Sequence, residues 1–508
     1  MHKKLSGYIY RKTTALIILI LLQLFVLVFS IWRMARFFPY VYGVLLLLSA
    51  VCLIWLVNSD TNPSYKLAWT IPILLVPIFG GIFYLLFGTS KVSSRLKKNM
   101  ELQKKFKVNY LKQEPDVIAE GGISSSASVL VNYIKNNGYP VYRNETTEYF
   151  PLGDEKFPRM ISELKKAKKY IFMEYFIIAE GTMWNQILSI LKEKVREGVE
   201  VRVIFDDCGS WGLLPANYEK ELNALGIRCR VFNPLHPSLT ITMNNRDHRK
   251  ILIIDGKVGF TGGINIGDEY INAMEKHGHW KDSAVMFTGQ AVNTLLSLFF
   301  EMWNLILPED EDVSHYYQTI SQPENYDGYI QPYGSDPFSE DTVGENIYLH
   351  LIAKAQKEIL IMTPYLIIDN ELTTALMLAA KSGISVKIMT PHIADKWYVH
   401  LMTCASYPQL IKAGVEIYEY TPGFVHSKVF VVDGTIATVG TINMDYRSLY
   451  LHFECGVILY ETKAVSDIWA DYYETLKKSQ KITLEDCDHI RWYHRLFQRL
   501  IKVFSPLM

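Results

Sequence analysis

The chain reads as an α/β protein of two similar halves, preceded by two or three transmembrane helices. Three features predict this: long apolar runs crowd the first 90 residues, a strand–helix–strand pattern occurs twice, and a hairpin with the same residue inventory follows each copy. At 508 residues the chain is long enough for two or three folding units. Hydrophobic residues reach 49% beside 20% charged residues, an excess that must be concentrated locally. Lys+Arg and Asp+Glu both number 52, so no global polycation makes nucleic acid the default partner, and any anion binding must be local.

The apolar runs are Thr14 to Ile31, Tyr40 to Val57 and Leu67 to Phe87, each about the length a helix needs to cross a bilayer core. Lys3, Lys4, Arg11 and Lys12 precede the first run, but Trp32, Arg33 and Arg36 follow it instead of a small-residue cleavage site, so it reads as an anchor. Pro72, Pro77 and Gly80-Gly81 interrupt the third, predicting a kinked or partly re-entrant span. With three spans and the bulk of the chain cytoplasmic, the inside flanks carry Arg33, Arg36, Lys91, Arg95, Lys97 and Lys98 against Lys3, Lys4, Arg11, Lys12 and Lys66 outside. This is a thin margin for the cytoplasmic orientation. A first segment lying in the membrane interface would remove the conflict.

Residues 1–90 are therefore read as the membrane segment and 91–140 as a charged linker. The first repeat spans 141–320, the second 321–480, and a tail follows at 481–508. Ala167 to Asp206 and Ala355 to Thr390 carry the two β–helix–β copies, with Gly198 and Gly383 between helix and second strand. Strands alternating with helices predict a mixed, largely parallel sheet in each half.

Downstream lie HRKILIIDGKVGFTGGIN, from His248 to Asn265, and HSKVFVVDGTIATVGTIN, from His426 to Asn443, with their histidines 178 residues apart. Asp-Gly between two β-prone runs signals a two-residue hairpin turn. Strand alternation puts His248 with Lys250, and His426 with Lys428, on one face, and turns Arg249 and Ser427 away. Asp255 and Asp433 follow at +7, Gly262 and Gly440 at +14, and Asn265 and Asn443 at +17. A single His on a strand is usually structural and a turn Asp usually only shapes its turn. Two matching His-x-Lys copies are neither, although the turn position of Asp255 and Asp433 favours hairpin fixing for them.

The duplicated H-x-K-x-x-x-x-D with its following G-x-x-N resembles the phospholipase D superfamily over roughly Val141 to Leu476. In detail the chain resembles the bacterial cardiolipin synthase family: NPSYKLAWTIPILLVPIFGGIFYLLFG (Asn62 to Gly88), GSDP (Gly334 to Pro337), TINMDYRSL (Thr441 to Leu449) and the closing FSPLM all fit. The resemblance implies two α/β halves about a pseudo-two-fold that share one active site. It also implies phosphatidyl transfer between two phosphatidylglycerol molecules through a phosphohistidine, releasing glycerol. The catalytic set is then His248, Lys250, Asp255, His426, Lys428 and Asp433, with His248 as nucleophile and His426 as acid by family analogy. Asp282, 34 residues after His248, and Glu454, 28 after His426, match the positions of the acids that orient the imidazoles. Two departures stand out: Thr441 replaces the Gly263 of the first copy, and Cys455-Gly456 follows Glu454 where a polar pair with an Asn was expected.

The chemistry needs this inventory. A phosphodiester anion repels nucleophiles, so Lys250 and Lys428 with the amides of Asn265 and Asn443 would neutralise its non-bridging oxygens. One imidazole attacks phosphorus and the other protonates the leaving oxygen. No carboxylate cluster with magnesium spacing lies near the hairpins, so neither a metal nor a cofactor is expected in the reaction. The six cysteines are scattered, without C-x-x-C pairs or a nearby His at zinc-finger spacing, which predicts reduced thiols, no disulfide framework and no structural zinc site. In the tail, Ile490, Tyr493, Phe497, Leu500, Ile501 and Phe504 form an apolar stripe beside Arg491, Arg495, Arg499 and Lys502. This suits either anionic membrane lipids or docking on the protein's own core. Competing functions are another phosphatidyl transfer or phospholipase D-type hydrolysis, a nucleic-acid phosphodiesterase, which neutral charge and the spans disfavour, and an inactive scaffold, which the intact His and Lys disfavour.

Overall fold

The computed structural model describes residues 21–29, 38–59, 61–76, 79–87, 100, 110–114, 117, 125–235, 244–309, 311–318, 323–339, 341–488 and 492–507. They fall into two compact units, 1–90 and 91–508. In the first, α1 (Phe38–Val57), α2 (Pro63–Leu75) and α3 (Gly80–Phe87) are helical. Among the described residues one helix, Pro39–Val57, is long and apolar enough to cross a bilayer alone. The interrupted third run is two short helices, with Pro72 inside α2 and a break after Leu75. A Cβ on Gly80 would lie 2.5 Å from Ile73 Cα, so the small residue lets the chain turn tightly there. Of the first apolar run, 21–29 is helical and the rest lies outside the described residues.

In the second unit, α4 (Ser125–Asn136) occupies part of the stretch read as a linker. It is anchored on the second repeat: Asn346 Nδ2 donates to Tyr133 OH at 2.8 Å, and Gln331 Nε2 to Val131 O at 3.2 Å. The strands that follow are β1 (Tyr142–Arg143), β2 (Thr147–Phe150), β3 (Tyr170–Tyr175), β4 (Glu200–Asp206), β5 (Arg228–Phe232), β6 (Lys250–Ile254), β7 (Val258–Gly262), β8 (His279–Lys281) and β9 (Ala284–Thr288). The second repeat contributes β10 (Tyr329–Ser335), β11 (Glu358–Met362), β12 (Leu366–Ile367), β13 (Ser385–Pro391), β14 (Glu416–Tyr420), β15 (Gly423–Val425), β16 (Val429–Val432), β17 (Ile436–Gly440), β18 (Met444–Asp445), β19 (Glu454–Tyr460) and β20 (Ser479–Ile482).

The repeat is literal in the sheets. One runs β2-β9-β7-β6-β3-β4-β5, and the other runs β1-β10-β19-β17-β16-β11-β13-β14-β20, so the six strands from β9 to β5 recur as β19 to β14. Both sheets are mixed, as expected, but they are mainly antiparallel. Only β3, β4 and β5, and correspondingly β11, β13 and β14, pair in parallel. The two-residue hairpin turns permit only antiparallel neighbours, and the next sheet strand, β9 or β19, also pairs antiparallel with the hairpin. Strand β1, placed in the first repeat by sequence position, pairs with β10 of the second sheet.

The hairpin turns match the Asp-Gly signal. Asp255 and Gly256 have φ of 54° and 66°, and Asp433 and Gly434 have 53° and 66°, as a type I′ turn requires. Helix α5 (Gly153–Lys166) covers the first sheet, and α6 (Val292–Ile306), apolar nearly all round, is buried in the core. Phe299 of α6 stacks on Phe172 of β3 at 4.9 Å. Helices α7 (Trp397–Lys412), α8 (Leu484–Asp488) and α9 (Trp492–Phe504) also belong to this unit, as do the crossover helices Thr182–Arg196 and Asn370–Lys381.

Candidate active site

His248 and His426 each lie just ahead of a hairpin strand, in segments sewn to the opposite repeat. The backbone N–H of His248 donates to Phe453 O at 2.9 Å, and that of His426 donates to Lys281 O at 2.7 Å. Each acceptor is the residue immediately before a carboxylate, so this stitching sets the carboxylate beside the imidazole. His248 Nδ1 lies 2.9 Å from both oxygens of Glu454, and His426 Nδ1 lies 2.6 Å from Asp282 Oδ2. The acids therefore serve the histidine of the other repeat. A carboxylate on Nδ1 fixes the tautomer and leaves Nε2 as the reactive nitrogen. The parallel pairing of β8 with β15 and the Asp247–Phe453 bridge continue the same seam.

Both lysines lie on the same face as their histidines, as the spacing predicts. Lys250 Nζ donates to His248 O at 2.5 Å, and Lys428 Nζ donates to His426 O. Arg249 and Ser427 turn into the core: Arg249 pairs with Glu301 at 3.0 Å, while Ser427 faces Lys281 O at 3.4 Å. Burial, reinforced by the neighbouring cations, lowers His248 well below its ordinary value and His426 to about 4. Burial also lowers Lys250 to about 8 and Lys428 to about 7, and raises Glu454 to about 7. Four basic groups share one buried site with two carboxylates, a constellation that one phosphate anion would complement.

Asp255 and Asp433 do not join this cluster. They lie at the far end of five- and four-residue strands, roughly 15 Å away at the usual rise per residue. Asp255 accepts from the backbone N–H groups of Lys168, Lys169 and Tyr170 at 2.7–2.9 Å, and Asp433 accepts from those of Gln356, Lys357 and Glu358 at 2.7–2.9 Å. Their place in the catalytic set is corrected to hairpin fixing, because side chains at the turn cannot reach the opposite strand end. Asn265 is committed too: its Oδ1 accepts from Ile177 N at 3.1 Å and its Nδ2 faces Tyr270 OH at 2.9 Å, so it supports the cleft wall. Asn443 is buried, and its Oδ1 has no hydrogen-bond partner among the described residues.

The two sequence departures gain physical reasons. Asp282 presses on Gly263, where a Cβ would collide with its carboxylate, whereas Thr441 donates its hydroxyl to Glu454. Cys455 does not line the cleft; it is buried between the repeats, with Sγ 3.4 Å from Thr261 Oγ1. A Cβ on Gly456 would strike the Tyr333 hydroxyl at 2.6 Å. Gly262 and Gly440 bring neighbouring backbones close, a Cβ there meeting Ala284 Cα at 2.5 Å or Gly456 Cα at 2.7 Å.

Two residues escaped the sequence reading. His452 lies 5.9 Å from His248 between ring centroids, is buried, and has an Nδ1 without a partner among the described residues. It occupies the place that Trp280, 5.4 Å from His426, takes in the other repeat; the shared offset of two residues before each carboxylate was the available signal. Lys156 of α5 is fully buried, with Nζ 3.4 Å from Ile264 O, and burial lowers it to about 7 despite the attraction of Asp282.

A duplicated His-x-Lys site on twin mixed sheets is the arrangement of phospholipase D-type phosphodiester enzymes. A family profile described as "Cardiolipin synthase, PLD-like domain" matches residues 160–303 and 348–476, and one described as "Phospholipase_D-nuclease N-terminal" matches 47–88. The chain belongs to the bacterial cardiolipin synthase family of the phospholipase D superfamily. It is 35% identical to a cardiolipin synthase of Alkalihalophilus pseudofirmus over 89% of this chain and 90% of that one. It is also 42% identical to an uncharacterized protein of Streptococcus mutans over 90% of this chain and 99% of that one. Among solved structures, a phosphatidylserine synthase of Haemophilus influenzae shares the fold, with TM-score 0.56 at 15% identity over 75% of this chain and 98% of that one.

Proposed function

We propose that this chain condenses two phosphatidylglycerol molecules into cardiolipin and glycerol through a phosphohistidine on His248. The observation that carries the reading is the pair of cross-repeat His–carboxylate contacts flanked by Lys250 and Lys428. Nε2 of neutral His248 attacks phosphorus, the P–O bond to glycerol breaks, and protonated His426 delivers its proton to the departing oxygen. His426, now a base, takes the proton from a glycerol hydroxyl of the second lipid. That oxygen displaces Nε2 and regenerates His248. Lys250 and Lys428 balance the phosphoryl charge, which should be strongest in the transition state.

The division of labour rests on the unequal surroundings of the imidazoles. Burial and then the lysines hold both imidazoles neutral in the free site, and Asp282 opposes this only at His426, so His426 is the ring that gains a proton when a phosphodiester anion offsets the charge of Lys250 and Lys428. Mass spectrometry of the lipids formed by the purified protein from phosphatidylglycerol alone tests the reading: cardiolipin with equimolar glycerol supports it, and phosphatidate would assign a hydrolase.

The same reading places the enzyme in the cell membrane as a multi-pass protein with two or three spans and a cytoplasmic catalytic unit. The tail is assigned to the anionic lipid surface, because Tyr493, Leu496, Phe497, Leu500 and Phe504 are exposed while Gln498 is buried and donates to Leu401 O at 3.2 Å. Trp397, 63% exposed and stacked on Phe497, extends the apolar face. Of the expected stripe, Ile490 lies outside the described residues.

A further inference from the structure

Away from the active site, α7 and β14 bring together side chains that the reaction does not use. His400 and Cys404 are four residues apart on α7 and share one face, and Glu419 faces them from β14. One donor atom from each of the three lies within 4.8 Å of the others. His400 Nε2 is 3.5 Å from Cys404 Sγ, matching the roughly 3.6 Å edge between S and N ligands of a tetrahedron with zinc-type bond lengths. His392 Nδ1 lies 2.8 Å from Glu419 Oε2, within reach of a fourth position and half exposed at the mouth of the cluster. The other oxygen of Glu419 is held by Tyr407 OH at 3.2 Å, an outer contact that fixes the carboxylate.

We propose that His400, Cys404 and Glu419, completed by His392 or a water, bind a divalent transition ion of the zinc class. The donor set excludes the hard alternatives, since magnesium and calcium prefer all-oxygen shells, whereas one thiolate, one or two imidazoles and one carboxylate suit zinc or cobalt. On binding, the Cys404 S–H bond breaks, its proton goes to solvent, and the thiolate electron pair forms the bond to the metal. The bound ion would tie α7 to the sheet. Thr403 of the same helix accepts from Leu366 N at 3.2 Å, and Leu366 pairs with Met444 beside Asn443, so the clamp supports one wall of the catalytic cleft without entering the reaction.

The test titrates the full-length protein, reduced, metal-stripped and held in detergent micelles, with Co²⁺ alone. One equivalent should bind and produce thiolate-to-cobalt charge transfer with the intense visible bands of a tetrahedral ion, displaced by Zn²⁺ and not by Mg²⁺. Cys404→Ser should remove the charge-transfer band, and His400→Ala or Glu419→Gln should weaken binding at least about 100-fold, since even outer partners are worth 10–100-fold. His392→Ala, at a half-exposed position that leaves the core intact, should weaken binding about 10-fold. Cys208→Ser, at an exposed and remote thiol, should change nothing. Absence of a stoichiometric band in the wild-type protein, or an undiminished band in Cys404→Ser, would overturn the assignment.

Discussion

At the scale of the residue, the decisive feature is that each imidazole borrows its carboxylate from the other repeat, across 206 and 144 residues of chain. Mutant phenotypes should therefore group by contact and not by repeat. Glu454→Gln should resemble loss of the nucleophile and suppress the His248 adduct. Asp282→Asn should slow leaving-group protonation by about 10²–10⁴ yet still allow the adduct from a phosphatidyl nitrophenol analogue. Rapid-quench mass spectrometry of the two variants checks this, and the reverse pattern would exchange the two histidine roles. Titration offers a second check. With Lys428 near 7 and Lys250 near 8 in the free site, a phosphonate diester anion raises both and binds together with protons. Affinity should thus fall as pH rises above 7, up to about tenfold per unit for each proton taken up, measurable by calorimetry in buffers of differing ionisation enthalpy. Asp282 and Glu454 were legible in the sequence as residues. Their partners were not, because linear spacing ties each acid to the nearer histidine, and only the seam through Phe453 and Lys281 shows the exchange.

At the scale of the element, the hairpins divide into a chemical end and a structural end. Asp255→Ala and Asp433→Ala should each leave three backbone N–H groups without their acceptor and place a Cβ-bearing residue without local hydrogen bonding at φ near +54°. A loss of about 1–3 kcal/mol, read as a melting temperature a few degrees lower, should come with near-normal kcat per folded molecule. Loss of kcat without loss of stability would return these residues to the reaction. The strand periods, the Asp-Gly turns and the shared face of His and Lys were all readable, because they are local consequences of side-chain alternation. The β–helix–β alternation predicts parallel pairs only for the three crossover strands of each sheet, and the hairpin strands together with the strands flanking them outnumber those three. The zinc-type cluster stayed hidden for a related reason: His400-x-x-x-Cys404 is one helical face, but its third member comes from a strand after the helix, outside any zinc-finger spacing.

At the scale of the whole molecule, two surfaces carry the proposed function: the seam between repeats and the exposed apolar face of α9. For the second, Leu496→Cys in a Cys208→Ser background, labelled with an environment-sensitive fluorophore in nanodiscs, should shift to the blue more strongly with anionic than with zwitterionic lipid. Emission at the wavelength of a water-exposed probe, identical with both lipids, would place the helix away from the bilayer. The long alternation of apolar runs and two hairpins made the architecture legible, while the pairing of β1 with β10 and the docking of α4 depend on contacts that no local pattern encodes. The seam has a consequence for the order of synthesis. A ribosome that has made the chain through the first repeat has produced His248 and Lys250 but not the Glu454 that, in the proposed mechanism, orients the attacking ring. On that reading, a chain cut short after the first repeat should release no lipid product from the bilayer that holds it. In the proposed mechanism, phosphatidyl transfer waits until the last strands are translated and the two repeats have closed on each other, so that completion of the fold is itself the licence to act.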